Sequence, residues 1–204
     1  MLVAFHELGH FIVAYYYMFN ISKIHILPFG IFIELLDYGM HPLSQELLLV
    51  IMGPLFSLLI MPLLTSELLK INYLILIYNL LPIYPLDGSK LLLMFLECFL
   101  DMQLSIKIQI RVSIFMMGVI LIKYPNIGYL IVMIYLFYHN YLYIKEYRFI
   151  VIKTILNDHN NKKYSIINSH YKYYRPYNNY YLIKKEIMTI ESIKTLLIKS
   201  IKND

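Results

Sequence analysis

Phe5 is followed by His6-Glu7-Leu8-Gly9-His10, an H-E-x-x-H sequence inside an apolar stretch. Helical residues four apart lie on one face, one turn above each other. Two imidazoles so placed can converge on a single cation, with Glu7 beside them to act on water, which is metallohydrolase chemistry. A catalytic zinc usually takes three protein ligands and leaves a fourth position open, so two histidines make an incomplete set. Glu67, Glu97 and Asp101 lie near the ends of apolar runs, where each can reach an interface. Asp87 cannot easily do so. It sits in Asn79-Leu-Leu-Pro82-Ile-Tyr-Pro85-Leu-Asp87-Gly88, where two prolines remove backbone donors and break a spanning helix. Non-helical backbone at membrane depth is tolerated only against protein or a water-filled cavity, so the break marks a site. A plainer reading has His6, Glu7 and His10 satisfying one another within a bundle, and Asp87 merely ending a short helix at the interface.

The elements that must position these groups are membrane elements. Of 204 residues, 59% are hydrophobic and 15% charged, and the mean hydropathy is +0.60. An ordinary soluble domain, nearer 25% charged, fits poorly. A bilayer core needs about 20 apolar residues per helix, and five runs qualify: 1–19, about 47–64, about 71–97 with the proline break, about 106–122, and 127–144. An ionisable group at the middle of a spanning helix costs about 2.5–3.5 kcal/mol, so His6, Glu7 and His10 in one apolar helix call for a compensating partner such as a metal. Residues 20–46 are too polar to span. Ile31 to Leu36, with turn residues near Asp37 and Gly39, suggest a small strand pair. The expected fold is therefore an all-α membrane protein, a polytopic bundle of about five transmembrane helices with a small hairpin after the first and a short cytoplasmic tail.

Residues 1–144 carry 6 Lys and Arg against 8 Asp and Glu, whereas residues 145–204 carry 12 against 5. This divides the chain into a 1–144 membrane core and a 145–204 basic tail. Lys145, Arg148 and Lys153 place that tail in the cytoplasm by the positive-inside rule. Lys107 and the Lys23 loop then fall inside, Lys70 and Lys123 fall outside, and residue 1 lies on the outer side. Tyrosines interleaved with lysines in the tail come with no recognisable nucleic-acid module, so no nucleic-acid partner is expected. Ile183, Ile187, Ile190, Ile193, Leu197 and Ile201 follow helical spacing and predict a short amphipathic helix over 183–201.

His6-Glu7-Leu8-Gly9-His10, Leu27-Pro28-Phe29-Gly30, Gly53-Pro54-Leu55, and Asn79-Leu-Leu-Pro82 through Pro85-Leu-Asp87-Gly88 together resemble the site-2 protease family of intramembrane zinc metalloproteases, in particular its sporulation branch. The resemblance covers about residues 1–155. It implies one zinc ion bound by His6, His10 and Asp87, Glu7 as general base, and Asn79 in the part of the second motif that aligns substrate. It also implies a multi-pass protein of the bacterial cell membrane whose partners are the lipid bilayer, regulatory membrane proteins and a membrane-associated substrate, a pro-sigma factor or similar regulator. Three departures stand out. Branch members carry a further span before the H-E-x-x-H helix, whereas here five residues, about 7.5 Å of helix, precede His6. The expectation is a misplaced start, a shortened protein or a degraded copy. The family's Asp-Gly-Gly reads Asp87-Gly88-Ser89, and 145–204 is too short for the complete nucleotide-responsive CBS domain of the branch.

Two other functions fit the same residues: a catalytically inactive scaffold derived from such a protease, and a membrane protein using the three ligands for metal transit. His25 and His41 read as interfacial residues, His139 as a satisfied interface residue, and Cys98, the single cysteine, as a small core residue. Gly53-Pro54 would let the second span kink and pack closely on the metal helix, and a plain packing role explains the pair equally well.

Overall fold

The computed structural model describes residues 1–27, 30–37, 41–124, 126–157, 164–168, 178–183, 186–187 and 195. Among them run six α-helices: α1 (Leu2–Tyr16), α2 (Leu43–Ile60), α3 (Ser66–Asn79), α4 (Asp87–Glu97), α5 (Met102–Lys123) and α6 (Ile127–Asn157). The antiparallel pair β1 (Ile21–Leu27) and β2 (Gly30–Leu35) follows α1, in register from Ile21 opposite Leu35 to Leu27 opposite Gly30. The chain forms two compact units, residues 1–91 and 92–204.

In the first unit α1 packs along α2 and touches β2, and α2 also meets α3. The buried positions of α1 (Leu2, His6, Gly9, His10, Val13 and Ala14) make one helical stripe, and Leu8, Phe11 and Ile12 point outward. Glycine allows the two helices to approach this closely. A Cβ on Gly9 would overlap the Met52 carbonyl. Beyond α1, Phe19 is buried and its ring stacks 3.8 Å from the His41 ring. Asp37 accepts hydrogen bonds from the Asn20 backbone and side-chain amides and pairs with His41 Nε2 at 2.9 Å, which fixes the end of the hairpin to the start of α2.

The expected third span is two short helices. At about 1.5 Å per residue, the 14 residues of α3 and the 11 of α4 are each too short for a core of about 30 Å. Between them the chain turns through Ile83, fully buried, whose N–H donates to Leu81 and whose carbonyl accepts from Leu86. Gly88 then lies against the Leu80 and Leu81 carbonyls, where a Cβ would overlap the former and sit 2.6 Å from the latter. This close approach folds the start of α4 back onto the end of α3. Among the described residues two segments, Leu43–Leu63 and Met102–Lys123, are long and apolar enough to cross a membrane.

In the second unit α6 runs unbroken to Asn157, past Lys145, Arg148 and Lys153, whose long side chains suit a helix. Two expectations change there. The tail is not purely helical. β3 (Tyr164–Asn168) pairs parallel to β4 (Asn178–Ile183), and β4 pairs antiparallel to β5 (Glu186–Ile187). Ile183 and Ile187 thus belong to strands rather than to the expected amphipathic helix. The Tyr180-Tyr181-Leu182-Ile183 run suits a pleated surface better; Ile190, Ile193, Leu197 and Ile201 lie outside the described residues. Cys98 is exposed, not a core residue, and its thiol donates to the Met94 carbonyl. On α5, Asp101 caps the helix by accepting from Leu104 N–H, and the Tyr143 hydroxyl of α6 donates to Gln109 Oε1 at 3.1 Å.

Candidate metal centre

Two donors come from adjacent turns of α1 and the third from the first residue of α4. Asp87 Oδ2 lies 3.1 Å from His6 Nε2 and 3.1 Å from His10 Nε2, and the two Nε2 atoms are 3.3 Å apart. All three side chains are buried. Zinc bonds of about 2.0–2.1 Å in a tetrahedron put neighbouring ligand atoms about 3.3 Å apart. The three donors therefore match the spacing of one face of such a tetrahedron.

Hydrogen-bond accounting points the same way. His10 Nδ1 is 2.8 Å from the Leu49 carbonyl, which can only accept, so Nδ1 carries a proton. In the neutral imidazole Nε2 is then a lone pair, and it faces a carboxylate oxygen and a second imidazole nitrogen. When His6 Nε2 is a lone pair as well, three acceptors are in mutual contact and repel one another unless positive charge lies among them. A divalent cation satisfies all three at once, so the donor set fits a zinc ion.

The surroundings hold the rings in place. A Cβ on Gly53 would overlap the His10 ring and lie 2.8 Å from His6 Nε2, so α2 can approach the donors only through a glycine. Pro54, inside α2, deprives the Val50 carbonyl of its usual helical donor, so the turn next to the site is already interrupted. His6 Nδ1 lies 2.9 Å from Ser57 Oγ. Asp87 Oδ1 is 3.6 Å from Lys90 Nζ one turn further along α4. Ser89 donates from both N–H and Oγ to the Leu86 carbonyl, which closes the turn that carries Asp87.

Glu7 is half-buried and lies within coulombic range of His10, His6, Asp87 and Lys90. Asn79 is the last residue of α3, half-buried, and makes no hydrogen bond to the three donors. Glu67 is exposed in a surface pair with Lys70, His41 is held by Asp37, and His139 packs against Tyr135. The side chain of His25, like Pro28 and Phe29 of the second motif, lies outside what is described. Sequence reasoning missed Ser57, Lys90 and the Leu49 carbonyl. Ser57 had one signal available: it is a polar residue in an apolar run, one helical turn after Gly53.

Comparison with known proteins supports the family resemblance. Residues 1–69 match the model of Peptidase family M50, the site-2 protease family. The chain is 33% identical over 127 residues to stage IV sporulation protein FB of Bacillus subtilis (strain 168). That match covers 56% of this chain and 44% of the relative, so the chain spans less than half of that protein's length.

Proposed function

We propose that the chain is an intramembrane metalloprotease that binds one zinc ion through His6, His10 and Asp87. The observation that carries this reading is the triangle of buried donor atoms 3.1–3.3 Å apart, with an acidic residue adjacent to one of them. A zinc ion held there would act as a Lewis acid toward a peptide carbonyl and toward water at neutral pH. Glu7 would take the proton from the attacking water and return it to the leaving amine. Lys90 balances the charge of Asp87, and Asn79, at the mouth of the proline break, would align substrate.

Five segments lie in the bacterial membrane on this reading, α2, α5 and α6 as spans and α1 and the broken α3–α4 pair as shorter helices, with the tail in the cytoplasm. The substrate is a membrane-associated protein, a pro-sigma factor or similar regulator, and other membrane proteins control access. A peptide bond inside a helix is shielded by its own hydrogen bonds, so the substrate must present extended backbone. The β1–β2 hairpin, whose second strand touches α1, could receive it by edge addition.

The test uses the full chain in nanodiscs with a membrane-tethered substrate. Glu7→Gln should keep its zinc and lose cleavage by roughly 10²–10⁴-fold, the usual contribution of a general base. Cleavage at the unsubstituted rate would refute the proposal, and zinc uptake without any cleavage by the unsubstituted protein would favour the scaffold.

A further inference from the structure

We propose that Ser57 is the positioning residue of the metal centre, its hydroxyl holding the His6 imidazole in the orientation that turns Nε2 toward Asp87, while Asn72 of α3 anchors Ser57 through its main chain. The inference rests on the metal-site reading above. Leu49, Gly53 and Ser57 follow one another at single-turn spacing on the buried face of α2. They meet the donors in turn: the Leu49 carbonyl takes His10 Nδ1, Gly53 makes room for both rings, and Ser57 Oγ takes His6 Nδ1 at 2.9 Å. His6 is fully buried and Ser57 is 1% exposed, so bulk water cannot substitute for the hydroxyl.

The two partners differ in how firmly they select a tautomer. A carbonyl can only accept, so it commits His10 to a proton on Nδ1. A hydroxyl can donate or accept, and only when it accepts does His6 keep a lone pair on Nε2. The geometry of Ser57 therefore decides whether His6 is a ligand.

That geometry is braced from α3. At the end of α2 the Met61 N–H turns to the Leu58 carbonyl, leaving the Ser57 carbonyl without its α-helical donor. Asn72 Nδ2 donates to it at 2.7 Å. Asn72 is itself fully buried, and its Oδ1 has no hydrogen-bond partner among the described residues. An amide buried with one end unsatisfied is costly in an apolar helix, and its one hydrogen bond goes to the residue that orients His6.

The experiment compares the unsubstituted full chain with Ser57→Ala, Ser57→Thr and Asn72→Leu in detergent micelles. Zinc affinity is read by competition with a chromophoric chelator, and ligand geometry by the visible absorption of the cobalt(II)-loaded protein. Ser57→Ala should weaken zinc binding about 10–100-fold, the usual effect of removing an outer-shell partner, and should alter the cobalt spectrum. Ser57→Thr, which restores the hydroxyl, should recover both, and Asn72→Leu should produce a smaller loss of the same kind. Unchanged affinity and spectrum in Ser57→Ala, or a threonine variant that behaves like alanine, would overturn the inference and leave the metal site standing. Failure of the unsubstituted chain to bind zinc would overturn both.

Discussion

Gly53→Ala puts the packing of α2 on the donors to a direct test. The added Cβ would lie 2.8 Å from His6 Nε2 and closer still to His10 Nε2, whereas ordinary contact begins at 3.4 Å. The rings or the helix must therefore give by at least ~0.6 Å on the His6 side, where the repulsive wall is steep. Metal ligands tolerate only about 0.2 Å. A shift three times that size, applied to two ligands at once, should cost zinc affinity at least ~100-fold, about 2.7 kcal/mol. Helix propensity runs the opposite way, because alanine in a helix interior is favoured over glycine by about 0.5–1 kcal/mol. A loss of metal would therefore report the contact and not a weakened helix. Gly118→Ala in α5 is the matched control, since a Cβ there meets nothing within 4 Å. It should keep its zinc and raise the thermal midpoint slightly. The assay is chelator competition with thermal unfolding of both variants in the same detergent. Gly53→Ala with unchanged zinc affinity would show that the helices do not meet as described.

Asp87→Asn keeps shape but removes charge, and should weaken zinc binding by more than the roughly 10–100-fold of an outer-shell change; full zinc content by metal analysis would count against Asp87 as a ligand. Gly88→Ala should push the first turn of α4 off the Leu80 carbonyl, costing about 1–3 kcal/mol of stability and displacing Asp87, so both the unfolding midpoint and the zinc content should drop. Two prolines placed within residues 31–36 remove backbone donors from β2; cleavage should cease while zinc is retained, and unaltered turnover would dismiss edge addition.

The histidine pair was legible because helix geometry converts a spacing of four residues into a shared face. Asp87 was legible only as an ionisable group beside a proline break; its approach to within 3.1 Å of both imidazoles depends on Gly88 tucking α4 beneath α3, a long-range fit that no local pattern carries. The strand pair was expected from Ile31 to Leu36, but with turn residues near Asp37 and Gly39, whereas the two strands are joined between Leu27 and Gly30. What orients the rings was hidden for a chemical reason. One partner is a main-chain carbonyl, which any residue at position 49 would supply, and the other is a single serine with no periodic companion. Ile183 and Ile187 were misread because isoleucines spaced four apart also occur within strand-forming runs rich in tyrosine. A change in charge carries no information about where a helix ends, and α6 continues past Lys145 to Asn157.

His6 and Asp87 stand 81 positions apart along the chain. α1 offers two imidazoles, and the third donor follows only after β1, β2, α2 and α3. A zinc ion held as proposed would therefore wait until the chain through Asp87 had been made and that carboxylate had settled against α1. On the same proposal, a chain interrupted before Asp87 would lack the carboxylate that completes the donor set.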